Sequence, residues 1–167
     1  MSSVAGVSVE EYLSTAYRPD CDYIEGEVRE RNVGEYDHGR LQAGLAIWFG
    51  NHERDWRIRV VVEQRVRVGA GRFSIPDVCV IDWSRPIEQV FTAPPLICIE
   101  VLSKDDSLRS IRERVDAYLV SGTGGRYLAG GGVPDSRAAR RSLRRIGSVS
   151  DDMIAHLRET SFLPTAS

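Results

Sequence analysis

Hydrophobic and polar positions change rhythm several times along this chain, and each change marks an element. Val9 to Tyr17 is amphipathic at helical spacing behind Ser8, a residue suited to cap it, and Arg18-Pro19-Asp20 ends it. Asp22 to Glu30 reads as a hairpin turning near Glu25-Gly26. From Tyr36 to Glu53, His38, Leu41, Leu45, Trp48 and His52 share one face of a longer predicted helix. Arg57 to Val68 then switches to a period of two. Ile58, Val60, Val62, Val66 and Val68 fall on one face, and Arg59, Glu63, Arg65 and Arg67 on the other, as in a half-exposed strand. Gly69-Ala70-Gly71-Arg72 is a turn.

Two short apolar runs follow, Ser74 to Ile81 and Leu96 to Leu102, separated by the polar connection Asp82 to Pro95. Near-continuous apolar character bounded by Gly, Pro and charge is the pattern of a central strand. Each run nevertheless carries one carboxylate, Asp77 and Glu100. Lys104 to Ser121 is a predicted helix with Leu108, Ile111, Val115, Tyr118 and Leu119 on one stripe and Ser103 placed to begin it. The order predicts an α+β or mixed α/β fold: a core of helix, three-stranded antiparallel meander and helix, preceded by a small helix and a hairpin.

After Gly122 the rhythm is lost. Gly124-Gly125, Gly130-Gly131-Gly132 and the Arg-rich stretch 137–145 offer little to bury, Tyr127-Leu128 is short for a strand, and only Asp151 to Arg158 reads as helical. The division is therefore 1–122 as the domain and 123–167 as an atypical Gly/Arg-rich segment. That segment is either disordered and basic, or out of register with the ancestral gene through a frameshift near codon 122.

Composition narrows the class. The chain has 167 residues, 42% hydrophobic and 28% charged, enough for one domain with a real core. Neither a membrane-spanning run nor a secretory leader is expected, and three cysteines, Cys21, Cys79 and Cys98, read as reduced packing residues of a cytoplasmic protein. Residues 1–122 hold 15 basic and 20 acidic side chains, whereas 123–167 hold 7 basic and 4 acidic ones. An acidic core is a poor general surface for nucleic acid, so such binding would need a local arginine patch or the tail.

The two carboxylates carry the chemistry. An ionised Asp or Glu inside an apolar strand costs several kcal/mol, of order the effective penalty for a buried ion, unless something pairs it. Two of them at the ends of neighbouring strands are suitable ligands for a hard divalent cation. The bland alternatives are that Asp77 caps a turn or pairs with a strand arginine, and that Glu100 sits at an exposed strand end. No Cys/His spacing suggests zinc.

The ordered motifs Tyr23-Ile24-Glu25-Gly26-Glu27, His38 opening a helix, Ile75-Pro76-Asp77-Val78, Ile99-Glu100-Val101-Leu102-Ser103 and Tyr118 to Gly122 resemble the bacterial Uma-two family of restriction endonucleases, within the PD-(D/E)XK nuclease superfamily. The resemblance covers about residues 8–122. It implies a restriction-endonuclease-like core and a Mg²⁺-dependent endonuclease, with Mn²⁺ as the alternative metal, acting on DNA. It also implies Asp77 and Glu100 as metal ligands, helped by the Val101 carbonyl, a site role for His38, and a homodimer that cuts both strands.

The usual lysine two residues after the metal glutamate is Leu102 here. The resemblance moves the basic residue to the following helix, at Arg114, and the chain's one lysine, Lys104, is the other candidate. Arginine supplies charge and hydrogen bonds but does not shuttle protons. His38 could equally be a packed histidine, and Arg109, Arg112 and Arg114 could simply balance the acidic residues of their helix. The competing function is a catalytically degenerate nuclease fold that binds nucleic acid or a protein without cutting. A third reading is an interaction module of a mobile-element or defence operon.

Overall fold

The computed structural model describes residues 3–31, 35–103, 106–123 and 125–130. Among these the elements are β1 (Ser3–Ala5), α1 (Val9–Ser14), β2 (Cys21–Ile24), β3 (Glu27–Glu30), α2 (Tyr36–Trp56), β4 (Ile58–Val62), β5 (Val66–Gly69), β6 (Arg72–Ser74), β7 (Val78–Asp82), β8 (Ile97–Leu102), α3 (Leu108–Ser121) and β9 (Gly125–Gly130). They form a five-stranded sheet ordered β1-β3-β2-β6-β5 and a four-stranded sheet ordered β4-β7-β8-β9. The Asp151–Arg158 helix and the Arg-rich stretch lie outside the described residues.

The single alternating strand expected over Arg57–Val68 is two strands in two sheets. Together with Ser74–Ile81, also read as one run, it forms a long antiparallel ribbon broken halfway: β4 pairs with β7, and β5 with β6. The break has identifiable causes. Glu63 is left-handed, with φ 50°, and its amide donates to the Asp77 carbonyl at 3.2 Å. In the opposite arm Pro76 has no N–H to give, and the Ile75 amide donates to the Asp22 carboxylate at 2.9 Å. Val62, expected to be buried, is 45% exposed as a consequence. Asp77 therefore sits where the chain passes from one sheet to the other.

The four-stranded sheet is packed on both faces. Leu41, Leu45, Trp48 and Phe49 of α2 cover Ile58, Val78, Val80, Ile97, Ile99 and Val101. Ala117 and Tyr118 of α3 join Cys79, Ile81 and Cys98 on the other side, with Val66, Val68 and Phe91. The pleat sends successive residues to opposite faces, which explains why both faces are apolar and the strands read as unbroken runs. The cysteines are free and buried, as expected. The β4-β7-β8 meander is antiparallel, and β9 adds to β8 in parallel. Composition argued against a strand here, but pairing with a central neighbour satisfies the backbone regardless of side-chain pattern.

Two details of α3 differ from expectation. It starts at Leu108 rather than Lys104, capped by Ser107, whose side chain accepts from the Ser110 amide. Ser103 instead ties itself to Asp106, donating from its amide and its hydroxyl to Oδ2 at 2.9 and 3.2 Å. Leu119 is 46% exposed, because Ile111, Arg114 and Tyr118 form the stripe that faces the sheet. Among the described residues no helix is long and apolar enough to cross a membrane.

Candidate active site

The β7–β8 register builds the site. Cys79 pairs with Cys98 and Val78 with Ile99, so one further step sets Asp77 opposite Glu100. Both share the face of Cys79 and Cys98, toward α3. Each is only 2% exposed. They line a cleft of ≈ 120 Å³ between the two sheets and α3. The expectation that two strand carboxylates lie together is met in the structure. Glu100 is not at an exposed strand end, whereas the bland alternative that Asp77 pairs with an arginine holds, the partner being Arg31 directly after β3.

Every oxygen of the pair has a protein partner. Asp77 Oδ1 accepts from Arg31 Nη2 at 2.6 Å, and Oδ2 accepts from the Val101 amide at 2.6 Å with His38 Nε2 at 3.4 Å. The Tyr118 hydroxyl donates to Glu100 Oε1. Arg114 Nε lies 3.1 Å from Glu100 Oε2, a charge contact whose N–H is not aimed along it, while Nη2 donates to Asp106 Oδ1 at 3.0 Å. Asp106 is in turn fixed by Ser103, so the turn before α3 orients the Arg114 guanidinium.

Burial and charge set the protonation states. Burial pushes the Asp77 carboxyl up, but the His38 hydrogen bond, the Arg31 charge and the Val101 amide together outweigh it and leave it below its ordinary value. Glu100 goes the other way: burial, with the nearby Asp77 charge, lifts it to about 7 against the pull of Arg114. Asp22 is raised chiefly by burial, against the nearby arginines. The contact with Asp77 raises His38 and favours its cationic form.

Of the residues singled out from sequence, Asp77, Glu100, Arg114 and His38 meet in this cleft, and Lys104 lies outside the described residues. Arg112 is exposed and takes no part. Sequence reasoning missed Asp22, Arg31, Tyr118 and Asp106 as members of the cleft. Tyr118 was legible as a stripe residue, four positions after Arg114 and seven after Ile111 on the same side of the helix. Asp22 lies in the other sheet and Arg31 directly after one of its strands, and neither carried a local signal.

A hard divalent cation suits this donor set. The carboxylates are paired across two rigid strands, and an ion such as Mg²⁺ takes one or two carboxylates and fills its remaining positions with water and substrate. Among the described residues no group of three or more His, Cys, Asp or Glu is placed to hold a metal ion, so any cation here would rest on the Asp77–Glu100 pair. Arg72 adds a buried Nε that has no hydrogen-bond partner among the described residues and lines the same cleft, where an anionic group could meet it.

Comparison with known proteins gives a family and a fold. The family model described as "Putative restriction endonuclease" matches residues 9–127. A crystal structure from Anabaena variabilis ATCC 29413, described as a putative nuclease belonging to DUF820, superposes with a TM-score of 0.67 over 74% of each chain at 24% identity, a likeness of fold. No curated protein matches.

Proposed function

The chain belongs to the Uma2 family, "Putative restriction endonuclease", and on that premise we propose that it is a divalent-cation-dependent endonuclease that hydrolyses DNA phosphodiester bonds at the Asp77–Glu100 cleft. The observation that carries this reading is the placement of two nearly inaccessible carboxylates opposite one another on adjacent strands, with cationic side chains around them. Such an arrangement is costly for folding and useful for holding a cation.

Asp77 and Glu100 would hold Mg²⁺ or Mn²⁺. Bound there, the metal supplies polarisation of the phosphate and a water acidified toward neutral pH. The chain's own groups do the rest. Arg114, anchored by Asp106, presents fixed positive charge beside Glu100 for the charge that builds on phosphate in the transition state. Arginine stays protonated, so its role is electrostatic rather than proton transfer. Arg72 Nε offers a further donor to a phosphate oxygen. His38 braces Asp77 and keeps it ionised. Lys104 remains the alternative source of positive charge.

The test is plasmid cleavage with Mg²⁺ or Mn²⁺, comparing wild type with Asp77→Ala and Glu100→Ala. Metal-dependent nicking or linearisation is expected, with a loss on the order of 10²-fold or more in each variant. One observation favours a second reading, a degenerate domain that binds without cutting: all four carboxylate oxygens are already engaged by the protein. Folded wild type that cuts nothing but still binds DNA in a salt-sensitive way would move the assignment there.

A further inference from the structure

Arg31 has no place in the chemistry above, yet it lines the cleft and holds Asp77. It follows the last residue of β3 in the five-stranded sheet and reaches across to Asp77 in the other sheet, 46 residues away, at 2.6 Å. Its side chain is only 19% exposed. Besides Asp77 it is held by the charges of Glu100 and Asp22, which all act to keep it cationic against burial. One guanidinium thus faces two buried carboxylates and the half-buried Asp22, with Arg114 beside Glu100 and His38 beside Asp77 as the neighbouring cations. Resting on the metal reading of the site, we propose that Arg31 is a tethered counter-ion: it neutralises the carboxylates while the metal is absent, and it competes with the divalent cation for Asp77.

The physical case is one of shared ligands. Asp77 Oδ2 is committed to the Val101 amide and His38, which leaves Oδ1 as the oxygen with capacity for an incoming cation, and Oδ1 is the atom Arg31 holds. Two cations cannot sit within contact distance of one oxygen in a partly desolvated cleft without strong repulsion. Metal entry therefore requires Arg31 to swing off Asp77, and the lost ion pair is subtracted from the metal affinity. Arg114 differs, because Asp106 gives it a second anchor away from the cation position. Among the described residues Arg31 has Asp77 as its one side-chain hydrogen-bond partner, so no second hydrogen bond there opposes its leaving Asp77.

The experiment measures Mn²⁺ binding to the full chain by calorimetry and by the electron paramagnetic resonance signal of free Mn²⁺. It compares wild type, Arg31→Gln, Arg31→Lys and the double variant Arg31→Gln/Asp77→Asn. Arg31→Gln keeps a donor for Asp77 without its charge, and it should bind Mn²⁺ about tenfold tighter or more, equivalent to one ion pair of modest strength. Its melting temperature should also rise with added Mn²⁺ by more than that of wild type. The double variant should lose the gain. Arg31→Lys, which keeps the charge and protects against loss of folding, should shift the affinity in the same direction by less.

Equal or weaker Mn²⁺ affinity in Arg31→Gln, with binding still lost in the double variant, overturns the counter-ion role and leaves the metal site standing. Absence of Mn²⁺ binding in every folded protein overturns both.

Discussion

Two clusters in this molecule are made from the same ingredients, arginine and carboxylate, and they behave in opposite ways. In the first, Arg65 faces Asp20 with Nε at 3.0 Å and Nη2 at 2.5 Å, donates to the Tyr12 and Thr15 carbonyls, and lies 4.7 Å over the Tyr12 ring. One cation meets one anion, and the remaining donors meet carbonyls. In the second, Asp22, Asp77 and Glu100 crowd one cleft, and burial drives Asp22 and Glu100 above their ordinary values despite Arg31 and Arg114. The first cluster is balanced and joins α1 and the loop after it to the β4–β5 crossing. In the second, the cost of burying Asp22 and Glu100 exceeds the relief that its cations give. Such an imbalance destabilises a fold and is retained where a cation or charged substrate can resolve it.

The largest way to break the comparison is to remove the balanced pair. Arg65→Ala strands Asp20 and two carbonyl contacts, and it should cost about 3 kcal/mol, toward the low end for a broken ion pair because Asp20 is 32% exposed. A chain of this length should melt about 6–12 °C lower. Cleavage per folded molecule should not change. A loss of activity beyond the folded fraction would show that the first cluster also serves the cleft.

Glu100→Gln tests the second cluster in the opposite sense, in buffer with chelator. Folded wild type keeps a proton on Glu100 until about pH 7, whereas the unfolded chain releases it near 4.5. The folded state then binds more protons between these values, so stability falls as pH rises through that window and levels off above it. The glutamine variant lacks this fall. Relative to wild type it should gain on the order of 2 kcal/mol by pH 8 in denaturant titrations, while losing metal-dependent cleavage. Parallel stability curves from pH 4.5 to 8 would mean that Glu100 is not strained.

How much of this was legible follows from where each signal lives. Asp77 and Glu100 stood out because a charge inside an apolar run violates a local pattern, and local patterns survive in sequence. The helix from Tyr36, the hairpin at Glu25-Gly26 and the β7–β8 pair were readable for the same reason. The break at Glu63 was not, since alternation continues from Ile58 to Val68 on both sides of it and says nothing about the sign of a backbone angle. Asp22 and Arg31 were hidden for a different reason. Their roles depend on how one sheet faces the other, and contacts such as Asp22 with Ile75, 53 residues apart, leave no periodic trace. β9 was missed because its backbone pairing with β8 does not require the side-chain alternation that was sought.

The finest separation of the clusters uses two tyrosines, one in each. Tyr12 donates its hydroxyl to the Cys21 carbonyl at 2.7 Å, a neutral acceptor, and Tyr118 donates to Glu100, an acidic one. Tyr12→Phe should cost about 1 kcal/mol, the usual net value of one hydrogen bond, equally at every pH from 5 to 8. Tyr118→Phe removes a donor that favours ionised Glu100, so burial would raise that carboxyl further. Below pH 5, where Glu100 is protonated in the fold, its cost should match that of Tyr12→Phe. Above pH 7 it should grow to about 2 kcal/mol, because the charged acceptor has lost a stronger bond. A pH-independent cost for Tyr118→Phe would place its hydroxyl on a carboxyl that stays neutral throughout, and the two clusters would differ in composition but not in strain.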